Sequence, residues 1–305
     1  MWFKNLQLYR FTQPVELTAE LLAEQLSGHL FEPCGSQELF RAGWVSPLGR
    51  HSDELVHESN GYFMVCSKRQ DKILPSSVVN DFLEEQVQEI ESTESRKVSR
   101  KERTSLKEEV IFSLMPKAFP RSSLQFAYIS LRDSLLVINA SSEKRAEDLI
   151  QDLREALGSL PLIPLVANNL PIDLMTQWVN SGELTDNFEL GEECELRDNA
   201  DVSGVIRCKN QNLSSDEILN HLKTGMHVSK LALSWNERVE FVLDEKMAVK
   251  RLRFSDLVQE KADETEVDDV AGQFDVDFTI MTAELSQFVT ALMSAMGGET
   301  DSAHQ

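Results

Sequence analysis

The sequence predicts an α+β protein with two antiparallel-sheet domains and a projecting helical hairpin inserted into the first. Three observations predict it: a β-hairpin pattern over 123–140, a helical apolar period from 79 to 90, and a three-strand alternation over 230–254. With 305 residues, 41% hydrophobic and 27% charged, the chain has the composition of a globular protein of two or three domains.

The N-terminal part predicts strands and one helix. Apolar and polar residues alternate over 2–11, which is typical of a strand and not of a signal peptide. Leucines at helical spacing predict a helix near 18–29. Residues 31–53 are rich in Gly and Pro and predict turns, and 61–69 predict another strand.

The inserted hairpin is predicted from two helical segments. The first begins after Pro75 and continues through the basic stretch SRKVSRKERTSLKEE at 95–109. The second begins near Ser105, which has capping-box spacing with Glu108, and ends at Pro116.

The remaining segments complete the two sheets. Residues 123–140 predict a β-hairpin, and 143–158 predict an amphipathic helix that ends at Gly158. In the second half we expect a helix at 173–182, a strand at 205–208 and a helix that is capped by Ser214 and Glu217 and ends at Gly225. The three-strand meander over 230–254, an acidic loop and a last helix at 281–296 follow.

The Pro-rich segment 159–165 predicts the main domain boundary. We therefore expect a central domain from 1–75 and 119–164, a hairpin tip at 76–118 and a base domain at 165–305.

The charge distribution is uneven. The formal net charge is −21, but 81–94, 182–201 and 255–272 together hold −19 of it, so the rest of the chain is nearly balanced. Because salt screens charges beyond about 8–10 Å, a local basic surface remains possible.

Four basic features predict contacts with nucleic acid. The first is the basic stripe of the hairpin, from Arg96 to Lys107. Arg96, Arg100, Arg103 and Lys107 share one face if the helix is continuous. The alternative interpretation of the stripe is a solvated helix face with internal salt bridges. The second is PKAFPR at 116–121, where Phe119 is either a core plug or an exposed apolar contact.

The third feature is the loop VIRCKNQN at 205–212 before a predicted helix. Free backbone N–H groups and amide side chains there suit a phosphate, although an ordinary loop fits equally. The fourth is VKRLRF at 249–254, whose charges could instead protect an edge strand. The candidate DNA-binding residues are Arg96, Lys97, Arg100, Lys101, Arg103, Lys107, Lys117, Arg121, Arg207, Lys209 and Gln211.

Motifs of enzymatic chemistry are not found. The sequence lacks GxxxxGK[ST], GxGxxG, HExxH and GxSxG, and its four cysteines are far apart in sequence, which predicts reduced structural thiols and no metal site. Asp244-Glu245-Lys246 matches the end of a nuclease-type D-x-K motif, but it also suits a turn between strands. We expect no catalytic residues, no metal and no cofactor. No stretch is apolar enough to predict a membrane span.

Several segments resemble the bacterial recombination-associated RdgC family, from the first residues to near 297. They are WFKNL (2–6), FEPCGSQ (31–37), GWVSPLGRHSD (43–53), KILPSSVVN (72–80), LGSLPLIPL (157–165), VIRCKNQ (205–211), KLALSW (230–235) and FDVDFTIMTAEL (274–285).

The resemblance implies a cytoplasmic, nucleoid-associated protein with a curved monomer. It implies a homodimer closed into a ring whose basic hole takes double-stranded DNA, activity on single-stranded DNA, and antagonism of RecA-promoted strand exchange. It also moves the interpretation of Phe119 towards a dimer interface. Two alternatives stay open: a metal-dependent exonuclease, a label the family also carries, and a regulator that binds RecA without contacting DNA.

Overall fold

The computed structural model describes residues 1–185, 187–198, 204–263 and 269–300. Within these ranges helices pack on two antiparallel sheets, which confirms the predicted α+β class. Residues 264–268 of the predicted acidic loop lie outside the described residues.

The first sheet has the strand order β2-β4-β5-β6-β1-β7, with β3 also paired to β4. Its strands are β1 (Gln7–Phe11), β2 (Phe40–Val45), β3 (Val56–Ser59), β4 (Tyr62–Ile73), β5 (Phe119–Ser130), β6 (Leu135–Ile138) and β7 (Leu162–Pro164). Strands β4 and β5 pair along their whole lengths, and this pairing places Ile73 opposite Phe119.

Helices α1 (Ala19–Ser27) and α4 (Glu143–Leu157) cover one face of this sheet. Gly158 ends α4 in the left-handed conformation, as predicted. At Gly43 a Cβ atom would lie 2.5 Å from the Phe31 Cα, so only glycine allows the chain to pass so close to β2.

The hairpin consists of α2 (Ser76–Glu94) and α3 (Arg100–Leu114), which join through a short turn. The predicted continuation of α2 through the basic stretch is wrong. Ser95 adopts the left-handed conformation and ends α2, and Ser99 begins α3 through a capping box with Glu102. Sequence reasoning placed this box six residues too late, at Ser105.

The second sheet has the order β12-β11-β10-β8-β9. Its strands are β8 (Phe188–Asp198), β9 (Val205–Lys209), β10 (Met226–Trp235), β11 (Val239–Asp244) and β12 (Val249–Phe254). The meander β10 to β12 and its turn at Asn236-Glu237 confirm the prediction, since both turn residues have positive φ angles as a tight hairpin turn requires.

Helices α5 (Pro171–Ser181), α6 (Asp216–Lys223), α7 (Asp256–Asp263) and α8 (Val270–Ala295) belong to the second half. Helix α8 joins the two sheets. Its Phe288 packs on Trp235 and Phe241 of the second sheet, while its Phe278 contacts Tyr128 of the first. One buried core therefore extends from the first sheet into the second.

Five strands and α-helices were missed in the sequence, of which β3 and β7 are the two shortest. Strand β2 lies in the segment predicted as turns, β8 lies in an acidic stretch, and α7 begins the predicted acidic loop. Along β8 the acidic residues Glu193 and Glu195 alternate with the core residues Cys194 and Leu196, although Glu195 is itself buried. The last helix also begins eleven residues earlier than predicted. Among the described helices, none has the length and apolar character needed to cross a bilayer.

Candidate nucleic-acid interface

The hairpin stripe is largely neutralised by its own carboxylates. Residues 76–118 hold nine acidic and seven basic side chains, and the antiparallel helices bring the acids of α2 beside the bases of α3. Arg96 donates to Glu102 from its two terminal nitrogens, Nη1 at 2.7 Å and Nη2 at 2.6 Å, and to Glu94 from Nε at 2.6 Å. These hydrogen bonds, from Glu102 first and then Glu94, raise the pKa of Arg96.

Arg103 is also paired, across the hairpin, with Glu84 of α2. It shares a helix face with Val110 and Leu114, which are buried in the small apolar cluster between the helices. Arg103 therefore points along the hairpin seam. The acids that pair with the stripe therefore include Glu84 and Glu94 of α2 as well as Glu102 of α3.

The other members of the stripe remain exposed. Among the described residues, no carboxylate lies within ion-pair distance of Lys97, Arg100, Lys101 or Lys107. Lys117 is exposed in a 3-10 turn after α3, and Arg121 is exposed on β5 opposite Asp71. The continuous face from Arg96 to Lys107 is therefore interrupted, because Arg96 precedes α3, while Arg100, Arg103 and Lys107 share one face of α3 by their spacing.

Phe119 is 80% exposed at the start of β5, where it follows the hairpin. Its cross-strand neighbour Ile73 is also exposed. The core-plug interpretation of Phe119 is therefore wrong for the single chain. A large aromatic side chain left in solvent is typical of an interaction site.

A second basic surface lies on the outer face of the second sheet. Alternation along β9 and β10 directs Arg207, Lys209 and Lys230 away from the core. With Lys250 and Arg251 from β12 they line a shallow depression of about 370 Å³, which also contains Glu193 and Glu195. We call this surface the sheet-face cluster; its five cations exceed its two carboxylates.

Glu195 lies at the centre of the sheet-face cluster and is only 5% exposed. Lys230 donates to both of its oxygens at 3.0 Å, Arg207 donates at 2.9 Å, and Arg197 donates at 3.1 Å. The Ser229 hydroxyl adds a hydrogen bond at 3.2 Å. Burial raises the pKa of Glu195, but these donors outweigh burial and lower it to about 2.

The margins of the cluster are also paired. Arg251 binds Glu193, which lowers the pKa of that carboxyl group, and Lys250 binds Asp244 at 2.7 Å. Lys209 is exposed, and no carboxylate among the described residues lies within ion-pair distance of it. Arg207 keeps 70% of its side chain in solvent although it contacts Glu195. Lys209 and Arg207 are therefore the cations most available to a phosphate.

The N-terminus of the helix after β9 does not favour the phosphate site that the sequence predicts there. Helix α6 begins at Asp216, and its first turn contains Asp216 and Glu217, whose charges already occupy the positive end of the helix. The Asn212 side chain accepts a hydrogen bond from the Ser214 backbone. Ser215, not Ser214, occupies the N-cap position of α6, but its side chain makes no capping hydrogen bond. Gln211 remains exposed at the end of β9.

Sequence reasoning missed Lys230 and Arg197 and under-weighted Lys250 and Arg251. Lys230 is a single charge within an apolar strand, and Arg197 is the one base in an acidic stretch. The signal available was strand alternation, which places Lys230 on the side opposite Leu231 and Leu233.

The Asp244-Glu245-Lys246 segment forms a turn. The Asp244 carboxylate accepts from the backbone N–H groups of Lys246 and Ala248, and Lys246 pairs with Glu143 at 2.8 Å. In the described ranges, no three His, Cys, Asp or Glu side chains come together in a way that could hold a metal ion.

Similarity to known proteins extends over nearly the whole chain. A family described as "Putative exonuclease, RdgC" matches residues 1–299. The chain belongs to the RdgC family. The Recombination-associated protein RdgC of Aeromonas hydrophila is 46% identical over 302 residues, covering 99% of this chain and 100% of that protein.

Two further RdgC relatives are similar over nearly their whole lengths. The Recombination-associated protein RdgC of Tolumonas auensis is 46% identical over 98% of this chain and 99% of its own length. That of Pseudomonas putida is 45% identical over 98% of both chains. The resemblance to the RdgC family is thereby confirmed.

Proposed function

We propose that this RdgC-family chain binds DNA through the phosphate backbone, without reading base sequence, and acts in recombination. The observation that carries the proposal is the sheet-face cluster, where cations from three strands meet on an otherwise acidic protein. Arginine and lysine on an open face suit phosphates, which give non-specific affinity. The name of the relatives, recombination-associated, supports the same role.

Two copies, in this proposal, close into a ring around duplex DNA. A two-subunit ring needs two self-complementary patches, one at each end of the subunit. The exposed Phe119 and Ile73 at the root of the hairpin supply an apolar patch for one contact. The second half of the chain supplies the other. Cations then face the enclosed DNA, and the acidic stretches lie outside, where they discourage other contacts with nucleic acid.

DNA held in this way is withheld from RecA, which accounts for the proposed antagonism of strand exchange. Backbone contacts do not require a duplex, so single-stranded DNA binds by the same charges.

We further propose that the protein binds DNA without cleaving it. The D-x-K segment is the strongest nuclease candidate, yet both roles of its carboxylate are structural: it closes the turn and pairs with Lys250. A degradation assay with Mg²⁺ tests this point. Cleavage that disappears in Asp244→Asn and Lys246→Ala variants would favour the exonuclease alternative.

Comparing linear with closed circular DNA tests directly whether the dimer encircles DNA. The dimer is closed with an amine-reactive cross-linker and then mixed with either linear or closed circular duplex DNA of one sequence. A pre-closed ring is expected to thread onto linear DNA and to fail on circular DNA, whereas the untreated dimer binds both. Equal binding of the cross-linked dimer to both forms would refute encirclement but would leave backbone binding intact.

A further inference from the structure

Two thiols that are far apart in sequence face each other in the second sheet. Cys194 on β8 and Cys208 on β9 are direct Cα partners, and both are free thiols. Directly opposite residues of an antiparallel pair place their side chains on the same face, with Cα atoms about 4.5–5.5 Å apart. A disulfide bridges Cα atoms about 4.4–6.8 Å apart, so cross-strand partners lie within the range that a disulfide spans.

The two thiols differ in their surroundings. Cys194 is 5% exposed within the main core, and burial together with the nearby Cys208 raises its pKa to about 12. Cys208 is only partly buried and packs at the margin of the same core. Solvent and small oxidants therefore reach Cys208 first, and Cys194 lies in position to react with it.

The other cysteines provide an internal comparison. The Cys34 thiol donates to the backbone oxygen of Gln70 at 3.1 Å, and Cys66 is fully buried, with its pKa raised to about 12 by burial. Neither is the strand partner of another cysteine, since Cys66 lies opposite Val45 and Phe126. Of the four thiols, all of them among the described residues, only Cys194 and Cys208 are cross-strand partners.

We propose that Cys194 and Cys208 form a reversible intrachain disulfide when the protein meets hydrogen peroxide. The Cys208 sulfur attacks one oxygen of hydrogen peroxide, the O–O bond breaks, and a sulfenic acid and one water form. The Cys194 sulfur then displaces the sulfenic oxygen, which leaves as a second water. Two thiols and one peroxide give one disulfide and two waters, and a dithiol reverses the step.

The disulfide fastens an edge strand. Within the described sheet, β9 pairs only with β8, and it carries Arg207 and Lys209 on the face opposite Cys208. Edge strands with one neighbour open more easily than central strands. A bond between Cys194 and Cys208 therefore holds the strand that presents these two cations. Formation of the disulfide does not depend on the proposed binding of DNA.

The first test maps the bond. The full-length protein is treated with hydrogen peroxide, free thiols are alkylated, and the digest is analysed by mass spectrometry. The expected result is a disulfide-linked pair of peptides containing Cys194 and Cys208, with Cys34 and Cys66 alkylated. The proposal would be overturned if Cys194 and Cys208 were still alkylated at peroxide concentrations that oxidise Cys34. It would also be overturned if the disulfide linked two chains.

Cysteine-to-serine variants distinguish disulfide formation from an effect on folding. A Cys34→Ser/Cys66→Ser variant should still form the bond, and Cys208→Ser should abolish it. In Cys194→Ser, dimedone should trap Cys208 as a sulfenic acid, because the resolving thiol is missing; an unlabelled Cys208 would contradict the proposed order. Oxidation should also slow amide hydrogen exchange over 205–209 several-fold, and a dithiol should restore it. An unchanged rate of amide hydrogen exchange over 205–209 would contradict the proposal that the disulfide holds β9 in place.

Discussion

Both carboxylate oxygens of Glu195 accept hydrogen bonds from the Lys230 Nζ at 3.0 Å. This contact lies at the centre of the sheet-face cluster and joins neighbouring strands β8 and β10. Because Arg207 and Arg197 share the same carboxylate, one buried acid lets three cations lie close together on one face. The buried Glu195 carboxylate thus stabilises the basic surface.

The Glu195 carboxylate should make stability depend on acid pH. Its pKa in the folded protein is about 2, below its ordinary value of 4.5, because hydrogen bonds from the cations outweigh burial. The ionised group therefore stabilises the fold above pH 4.5, by up to roughly 3 kcal/mol, and that contribution disappears as pH falls towards 2. Denaturant unfolding from about pH 7 to pH 2 measures it.

The control is Glu195→Gln, which keeps the shape and removes the charge. The variant should be less stable than the wild type at neutral pH, and the difference should shrink as the pH falls. A difference that stays constant over this range would show that the charge of Glu195 does not support the cluster.

Phe119→Ser should weaken self-association more than folding. Phe119 is 80% exposed in the single chain, so its removal leaves the core intact, whereas an aromatic side chain buried at an interface often contributes more than about 1 kcal/mol to binding. Sedimentation measures the dimer and thermal unfolding measures the fold. Leu257→Ser, at a site 64% exposed on α7, is the matched control and should leave the dimer unchanged. A lowered melting temperature with unaltered dimerisation would contradict this view of Phe119.

Ser99→Ala should loosen the hairpin. The Ser99 hydroxyl caps α3 in a reciprocal box with Glu102, and removing such a cap costs about 1 kcal/mol. Faster amide exchange over the first turn of α3 measures the effect. Ser105→Ala is the control, because Ser105 lies exposed within α3 and alanine favours helix there. If Ser105→Ala had the larger effect, the observed start of α3 would be contradicted.

Much of the fold could be predicted from local pattern, because alternation in β10 to β12 and the stop at Gly158 are local signals. The break between α2 and α3 could not, since a left-handed Ser95 has no strong sequence signal and the charged stretch is compatible with a continuous helix. Strand β8 was missed because its acids obscure a one-sided apolar face.

The candidate site was predicted only in part, for a tertiary reason. Arg207 and Lys209 were found as neighbours in sequence, but Lys230 and Glu195 join them only through the strand order of the second sheet. Conversely, the pairing across the hairpin could not be predicted from the sequence. Glu84 neutralises Arg103 only because α2 and α3 are antiparallel.

The salt dependence of duplex binding tests the central claim most directly. Removing one cation that binds a phosphate should reduce the slope of log affinity against log salt by about one. An Arg207→Gln/Lys209→Gln variant, in which glutamine can still donate to Glu195, should therefore show weaker binding and a shallower slope. Arg96→Gln/Arg103→Gln is the matched control, because both arginines are already paired with carboxylates, and its slope should change little. An unchanged slope in the Arg207/Lys209 variant, with its fold intact by circular dichroism, would contradict the assignment of DNA binding to the sheet-face cluster.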